Sequence, residues 1–335
     1  MKKIICLLFL SLPMLAQQPS QAPAKQKIIF DCDLGDDIDD AYALGLLITM
    51  QDHYEILGIT TCYGRTEDRA RLAAKFLQET HQNIPIYAGR NTSAQNERAN
   101  WFAEQFYWAE GFERKIIPKQ DFSNQYRKAI GLPPLKSKEP SAAEFIRDQL
   151  IRHPGEIIIF SVGPVTNMAD VMELEPNILK KAKAIYAMFG SFRLGYDATP
   201  KIHAEWNVAV DIPAAKKFVQ SGANIIYAGL DVTAMVKLDA TKRAQILQRQ
   251  SPLTNALSGL YVLWGQETPT LFDPVAIGME AYPELFKTEQ VHIRVDDAGY
   301  TRIIPNEKPN ARIGIHIDTD AFLGRIMKKY LHQNL

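Results

Sequence analysis

From about residue 26 onward, short apolar runs alternate with stretches in which apolar residues recur every three or four positions. These are the periods of strand and helix. Lys27 to Asp33 is β-rich, and Asp39 to Met50 reads as the helix after it. Glu55 to Cys62 (strand), Glu67 to Thr80 (helix) and Ile84 to Ala88 (strand) continue the alternation. Ser141 and Glu144 have capping-box spacing and open a helix to about Arg152. Glu156 to Val162 is a continuous apolar strand of the kind buried on both faces, and Pro164 suits the first turn of the next helix. Strands at Ala184 to Met188 and Asn224 to Ala228 flank a helix near Pro213 to Gln220. Helices at Ala240 to Gln250, Pro252 to Trp264 and Pro274 to Glu280 follow, then short strands at Val291 to Val295 and Ile313 to Ile317. A helix from Asp320 to Leu331 closes the pattern. The alternation predicts an α/β fold, an open, mostly parallel, Rossmann-like sheet with helices on both faces. No repeat or linker divides it, so one domain over residues 27–335 is expected. Arg90 to Pro140 breaks the alternation and reads as an insertion or a lid.

The amino terminus follows different rules. Lys2 and Lys3 precede a short apolar run, Ile4 to Ala16, and residues 17–26 are a polar, Pro/Ala-rich linker. This reads as a signal peptide over residues 1–16 and a secreted or periplasmic location. The run is too short to span a bilayer, and no later stretch approaches about 18 apolar residues, so no membrane partner is expected after its removal. Basic and acidic residues number 38 each, which excludes a global basic field for nucleic acid. Hydrophobic residues at 46% and charged residues at 23% exclude a disordered or collagen-like chain. Of three cysteines, Cys6 falls in the leader, and Cys32 and Cys62 sit in strands as inert core thiols.

Chemistry concentrates just after the first strand. Asp31, Asp33, Asp36, Asp37, Asp39 and Asp40 place six carboxylates within ten residues, ahead of an apolar helix. Acids favour a helix N-terminus, but that accounts for about two of the six. The rest repel one another unless a cation neutralises them, and hard oxygen ligands select Ca²⁺ or Mg²⁺. The spacing is not that of an EF-hand, and its closing Glu is absent. Asp273-Pro274, at the head of a late helix, is a plausible remote ligand.

The segment Asp31 to Leu44 resembles the amino-terminal signature of the inosine-uridine-preferring nucleoside hydrolases, in a longer form with two extra residues before Asp39-Asp40. Further matches follow in order: Pro154-Gly-Glu, Gly163-Pro-Val-Thr-Asn167, Met188 to Gly190, Ala204-Glu-Trp-Asn207 with Asp211, Gly229-Leu-Asp-Val-Thr233, Asp273-Pro-Val-Ala276, and Asp318 with Phe322. The resemblance implies a nucleoside hydrolase fold and hydrolysis of the N-glycosidic bond of a ribonucleoside. It implies Ca²⁺ held by Asp33, Asp40, the Val162 carbonyl and Asp273, and ribose held by Asp39, Met188, Glu205 and Asn207. Asp33 becomes the expected general base. Glu205 and Asn207, two apart, are expected to share one side of an extended segment. A homo-oligomer stays open.

Several positions depart from the family pattern. Phe272 stands where many members have a His thought to protonate the leaving base. Arg65 replaces a substrate-contacting Asn, and Tyr196 falls where an Asn usually contacts the ribose, in a longer loop. A His-Gly loop is missing, Trp108 to Gly111 being the nearest segment. Phe192, Tyr196, Trp206, Tyr261, Trp264 and Phe272 are candidates to stack on a base. Two rivals remain. One is a haloacid-dehalogenase-like phosphatase with Asp31 as nucleophile and Asp33 as acid, although Gly35 stands where that family wants Thr or Val. The other is a secreted calcium-dependent nucleoside- or sugar-binding protein that has lost turnover.

Overall fold

The computed structural model describes residues 24–92 and 141–335. Eight strands form one sheet: β1 (Gln26–Cys32), β2 (Tyr54–Thr61), β3 (Ile86–Ala88), β4 (Ile157–Ser161), β5 (Ala184–Met188), β6 (Ile225–Ala228), β7 (Phe286–Val291) and β10 (Ala311–Ile317). Their spatial order is β3-β2-β1-β4-β5-β6-β10-β7, and every pairing is parallel except that of β7 with β10. Helices cover the sheet, and β4 is buried along its whole length, as its unbroken Ile/Phe run requires.

Chain order reverses between β1 and β4. Strands β2 and β3 extend the sheet to one side of that point, β5 and β6 to the other. Connections therefore leave the carboxyl ends of β1 and β4 in opposite directions and open a crevice, where open α/β sheets bind ligands. Asp31 at the end of β1 faces Ser161 at the end of β4 across the seam.

Some expectations need correction. The strand expected at Val291 to Val295 is interrupted at His292. β7 ends there against β10, while β8 (Ile293–Val295) turns away to pair with β9 (Thr301–Ile303) in a separate two-stranded sheet. The capping box at Ser141 is half made: its Oγ accepts from the Glu144 N–H at 3.1 Å, but the Glu144 Oε2 has no partner among the described residues. A complete box opens the Pro252–Trp264 helix, where Ser251 and Thr254 cap each other reciprocally. Pro164 lies just before its helix, which starts at Thr166. The short helices Trp206–Ala209 and Leu230–Thr233 span one turn each, too little for a periodic signal. Among the described residues no helix is long and apolar enough to cross a membrane. The leader, most of the linker and residues 93–140, with Trp108 to Gly111, lie outside the described residues.

Candidate active site

A cavity of about 250 Å³ opens on the carboxyl edge of the sheet at the switch point. Its inner end is built from Asp33, Asp36, Asp37, Asp39 and Asp40 after β1, Val162 after β4, Met188 at the end of β5, and Asp273. Glu205 and Asn207 close one side, and Tyr196, Trp206, Trp264 and Phe272 form an aromatic wall. Every residue assigned to metal, ribose or catalysis thus lines one cavity, across more than two hundred positions of sequence.

The acidic loop is folded by its own backbone. The Asp33 N–H donates to Asp40 Oδ1 at 3.2 Å, and the Asp273 N–H donates to Asp39 Oδ2 at 3.3 Å. Asp39 and Asp40 start the Asp39–Ile48 helix, and Asp273 lies in the first turn of the Phe272–Ala281 helix. Two helix N-termini with their positive dipole ends thus meet at the acids. Carboxylate oxygens of Asp39, Asp40 and Asp273 lie within 4.8 Å of one another, a group that could hold a metal ion. Asp33 lines the same cavity outside that tight group. It packs against Gly163, where a Cβ would come within 2.6 Å of Asp33 Oδ1 and 2.7 Å of Cys62 Sγ. Only glycine lets the end of β4 approach β1 this closely.

Burial raises the pKa values of Asp33, Asp39, Asp40 and Asp273 well above the carboxylate range, and the neighbouring carboxylates raise them further. Arg69 opposes the shift at Asp33 and Asp40. That arginine is fully buried. Its Nε donates to the Tyr63 carbonyl at 2.8 Å, Nη1 to the carbonyls of Asp33 and, at 3.2 Å, Leu34, and Nη2 to Asp36 Oδ1 at 3.2 Å. It fastens the loop and supplies one positive charge against several negative ones. The sequence reading missed it, although a signal was present. Arg69, Leu72, Ala73 and Phe76 recur at the spacing of a buried helix face, and a charge in that phase must find a partner.

Asp31 is not part of the cavity. Its buried carboxylate accepts from Thr60 Oγ1 at 2.6 Å and Asn167 Nδ2 at 2.7 Å, and burial pushes its pKa up to about 7. Roofed over in this way it cannot act as a nucleophile, which removes the phosphatase reading.

Glu205 and Asn207 reach the cavity by a different geometry from the extended one expected. Glu205 caps the Trp206–Ala209 helix and Asn207 sits inside it. The Glu205 carboxylate accepts from the N–H groups of Gly190 at 2.8 Å and Asn207 at 2.9 Å, and burial pushes its pKa up to about 7. Asn207 Nδ2 donates to the Val162 carbonyl at 2.8 Å and the Met188 carbonyl at 3.0 Å, joining the ends of β4 and β5. Of the aromatic candidates, Phe192 is core, packed under Gly229 beside Tyr227, and the Tyr261 hydroxyl donates to the Glu267 carbonyl away from the cavity. Arg65 is exposed ahead of the Thr66–Glu79 helix and does not line the cavity.

A cavity of buried carboxylates that could hold a metal ion, at the switch point of a mostly parallel sheet, is the arrangement of an α/β enzyme with hard oxygen donors. The chain belongs to the inosine-uridine preferring nucleoside hydrolase family, whose model matches residues 28–324. It is accordingly a nucleoside ribohydrolase. It is 28% identical over 321 residues to the pyrimidine-specific ribonucleoside hydrolase RihB of Escherichia coli (strain SE11), covering 90% of this chain and 96% of that one. Among solved structures it is similar to the plant nucleoside hydrolase PpNRh1, with a TM-score of 0.73, 19% identity, and coverage of 92% of this chain and 100% of that one. It is also similar to a purine-preferring ribonucleoside hydrolase from Gardnerella vaginalis, with a TM-score of 0.71, 21% identity, and coverage of 91% and 98%. At these identities the structural likeness shows the fold.

Proposed function

We propose that the chain cleaves the N-glycosidic bond of a ribonucleoside in a calcium-dependent reaction, releasing ribose and free base. The observation that carries the reading is the buried group of Asp39, Asp40 and Asp273 beside Asp33 at the switch point. So many buried acids, offset among the described residues by Arg69, call for a cation. No His or Cys lines the cavity among the described residues, so the donors are hard oxygens that suit Ca²⁺ or Mg²⁺ rather than Zn²⁺. The resemblance favours calcium, with Asp33, Asp40, the Val162 carbonyl and Asp273 as the holding groups. The Val162 oxygen accepts one hydrogen bond from Asn207 and keeps a second lone pair. When bound, the ion orients ribose hydroxyls and lowers the pKa of a water.

The remaining work falls to the chain. Asp33 accepts the proton of the attacking water. Asp39 and Glu205 place negative potential beside the sugar as it becomes oxocarbenium-like. Asn207 has spent both amide protons on backbone carbonyls, so its Oδ1 is the atom left to accept from a sugar hydroxyl. Met188 packs under the ring, and the aromatic wall takes the base. Phe272 has no proton to give the departing base.

The test is reducing-sugar release from a panel of purine and pyrimidine ribonucleosides, with EDTA and after adding back Ca²⁺ or Mg²⁺. Release that EDTA abolishes and Ca²⁺ restores is the expected result. Release indifferent to EDTA overturns the metal assignment, and no release from any nucleoside with Ca²⁺ present overturns the substrate assignment. The same proposal places the enzyme outside the cytoplasm, on the strength of Lys2, Lys3 and the Ile4 to Ala16 run. An amino terminus near Gln17 on the protein recovered from its own cells is the expected result.

A further inference from the structure

A departing base gains negative charge as its bond to the sugar breaks, and something must meet that charge. The inner end of the cavity offers almost nothing but acceptors: carboxylates, the Val162 carbonyl and the Asn207 Oδ1. Besides Asn207, the side-chain donors that line the cavity among the described residues are Tyr196, Trp206, Trp264 and Gln266. The Trp264 side chain is hydrogen-bonded to Asp37. The Trp206 Nε1 is buried, with no partner among the described residues. Gln266 and Tyr196 both line the cavity from exposed positions, and no partner fixes the Gln266 amide among the described residues. Tyr196 is different. Its oxygen accepts from the Trp206 backbone N–H at 2.8 Å, and among the described residues nothing accepts its own proton.

The loop that presents Tyr196 is tightly held. The Asp231 carboxylate accepts from the backbone N–H groups of Phe192, Arg193 and Leu194 at 2.9, 2.8 and 3.2 Å. Thr301 on β9 clasps Ser191 in both directions, donating to its carbonyl at 2.8 Å and accepting from its N–H at 3.0 Å. Gly195 lets the loop fold back on itself, since a Cβ there would meet the Lys201 carbonyl at 2.1 Å. The phenol ring stands edge-on to Phe272, with centroids 6.0 Å apart and an interplanar angle of 88°. A hydroxyl whose oxygen is fixed from one side, on a braced loop at the mouth of a site, is a preorganised donor.

We infer that Tyr196 donates its phenolic hydrogen bond to the leaving group, favouring among nucleosides those whose base carries an acceptor heteroatom facing Tyr196 and Phe272. The inference rests on the ribonucleoside reading above. The C1′–N electron pair leaves with the base, water supplies the new C1′–O bond and gives its proton to Asp33, and the base takes its proton from solvent afterwards. Tyr196 keeps its own proton throughout. Burial and the neighbouring acids hold the phenol well above its ordinary pKa, which suits a hydrogen-bond donor and not a proton donor.

The experiment compares Tyr196→Phe with the wild type on uridine, inosine and p-nitrophenyl riboside, whose phenolate leaves unaided. The expected result is a fall of about 10- to 100-fold in kcat/KM on the nucleosides, carried mainly by kcat, and under about threefold on the aryl riboside. A purely structural role, such as freeing the Trp206 N–H, lowers all three alike, and equal losses overturn the inference. So does an unchanged rate on every substrate, or a selective loss in Gln266→Ala in place of Tyr196→Phe. A wild type that cleaves none of the three overturns the ribonucleoside reading, and one that cleaves the aryl riboside and no nucleoside overturns the inference, because Tyr196 then assists no base. Melting temperatures of both proteins verify that the variant is folded.

Discussion

Replacing Arg69 by Met should be among the most damaging changes available outside the cavity lining. Methionine fills much of the same space but returns none of the four hydrogen bonds that the guanidinium makes. The carbonyls of Asp33, Leu34 and Tyr63 and the Asp36 carboxylate all lose a partner. Asp36 stays 9% exposed and Arg69 is 0% exposed, so water does not readily replace what is lost. At the observed separation of 3.2 Å the ion pair alone is worth about 5 kcal/mol at an effective dielectric of 20. Part of that is offset by the cost of burying both groups, but removing one partner does not recover the cost of the other. Breaking buried pairs in this way costs about 3–5 kcal/mol. In a chain of this size that is a fall of roughly 10 °C in melting temperature without added metal. Arg69→Lys, which keeps the charge and loses the fork, should fall between the two. Arg193→Met, which breaks an exposed pair with Glu289, should cost under about 1 kcal/mol. Adding Asp36→Asn to Arg69→Met should recover part of the loss. Differential scanning calorimetry of the four variants settles the point. An Arg69→Met protein that melts within a degree or two of Arg193→Met would refute the claim that this arginine holds the acidic loop.

Asp33→Ala and Asp40→Ala should each abolish calcium binding by isothermal calorimetry, and unchanged affinity in both would remove the assigned site. Asn207→Ala should slow hydrolysis by a similar factor whatever base is attached, and strong variation between bases at fixed ribose would move Asn207 off the sugar. With Phe272 in place of an acid, p-nitrophenyl riboside should be cleaved much faster than inosine or uridine, and Phe272→His should raise the nucleoside rates more. General-acid help is typically worth about 10²–10⁴-fold, and comparable wild-type rates on all three substrates would contradict this. The last prediction concerns pH. Asp31 and Glu205 titrate near 7 when folded and in the ordinary acid range when unfolded. Between those values the folded state holds more protons, so metal-free stability should fall as pH rises from about 4 to 7. Calcium displaces protons from the cluster acids, so its stabilising effect should grow as pH rises. Parallel melting curves with EDTA and with Ca²⁺ at pH 5, 6, 7 and 8 would refute the linkage.

The parts of this site that were legible in the sequence are those where residue type alone demands an explanation. Six acids in ten positions mark one loop as a place of chemistry, and strand-then-helix periodicity puts them at the carboxyl edge of a sheet. The spaced family motifs then tied that loop to Asp273, a link no local pattern contains. What was not legible depends on facing. Phe192 and Tyr196 are aromatic residues four positions apart, yet one is packed into the core and the other stands in the mouth of the cavity. Nothing in their immediate neighbours distinguishes them, because the Asp231 carboxylate that shapes the loop comes from another part of the chain. Glu205 and Asn207 were correctly paired on an incorrect backbone, since a one-turn helix leaves no periodicity to read. The break at His292 likewise follows from which partners are available, β10 on one side and β9 on the other.

The bond from the Asp273 N–H to Asp39 has a bearing on when the enzyme comes into being. Its two residues are 234 positions apart, and the bond from the Tyr330 hydroxyl to the Tyr42 carbonyl spans 288. A chain emerging from the ribosome, or through a translocation pore, displays its acidic loop at once and lacks the rest of the cation cage until nearly the end. Closing such long intervals is slow, because their entropic cost falls due before any contact repays it. Until then the loop has Arg69 as its neighbouring counter-charge, and the group of Asp39, Asp40 and Asp273 is incomplete. An amino-terminal fragment, however well folded its first strands, holds no site at all. The acidic group is thus a late-arriving clasp, complete only where distant parts of the chain have met.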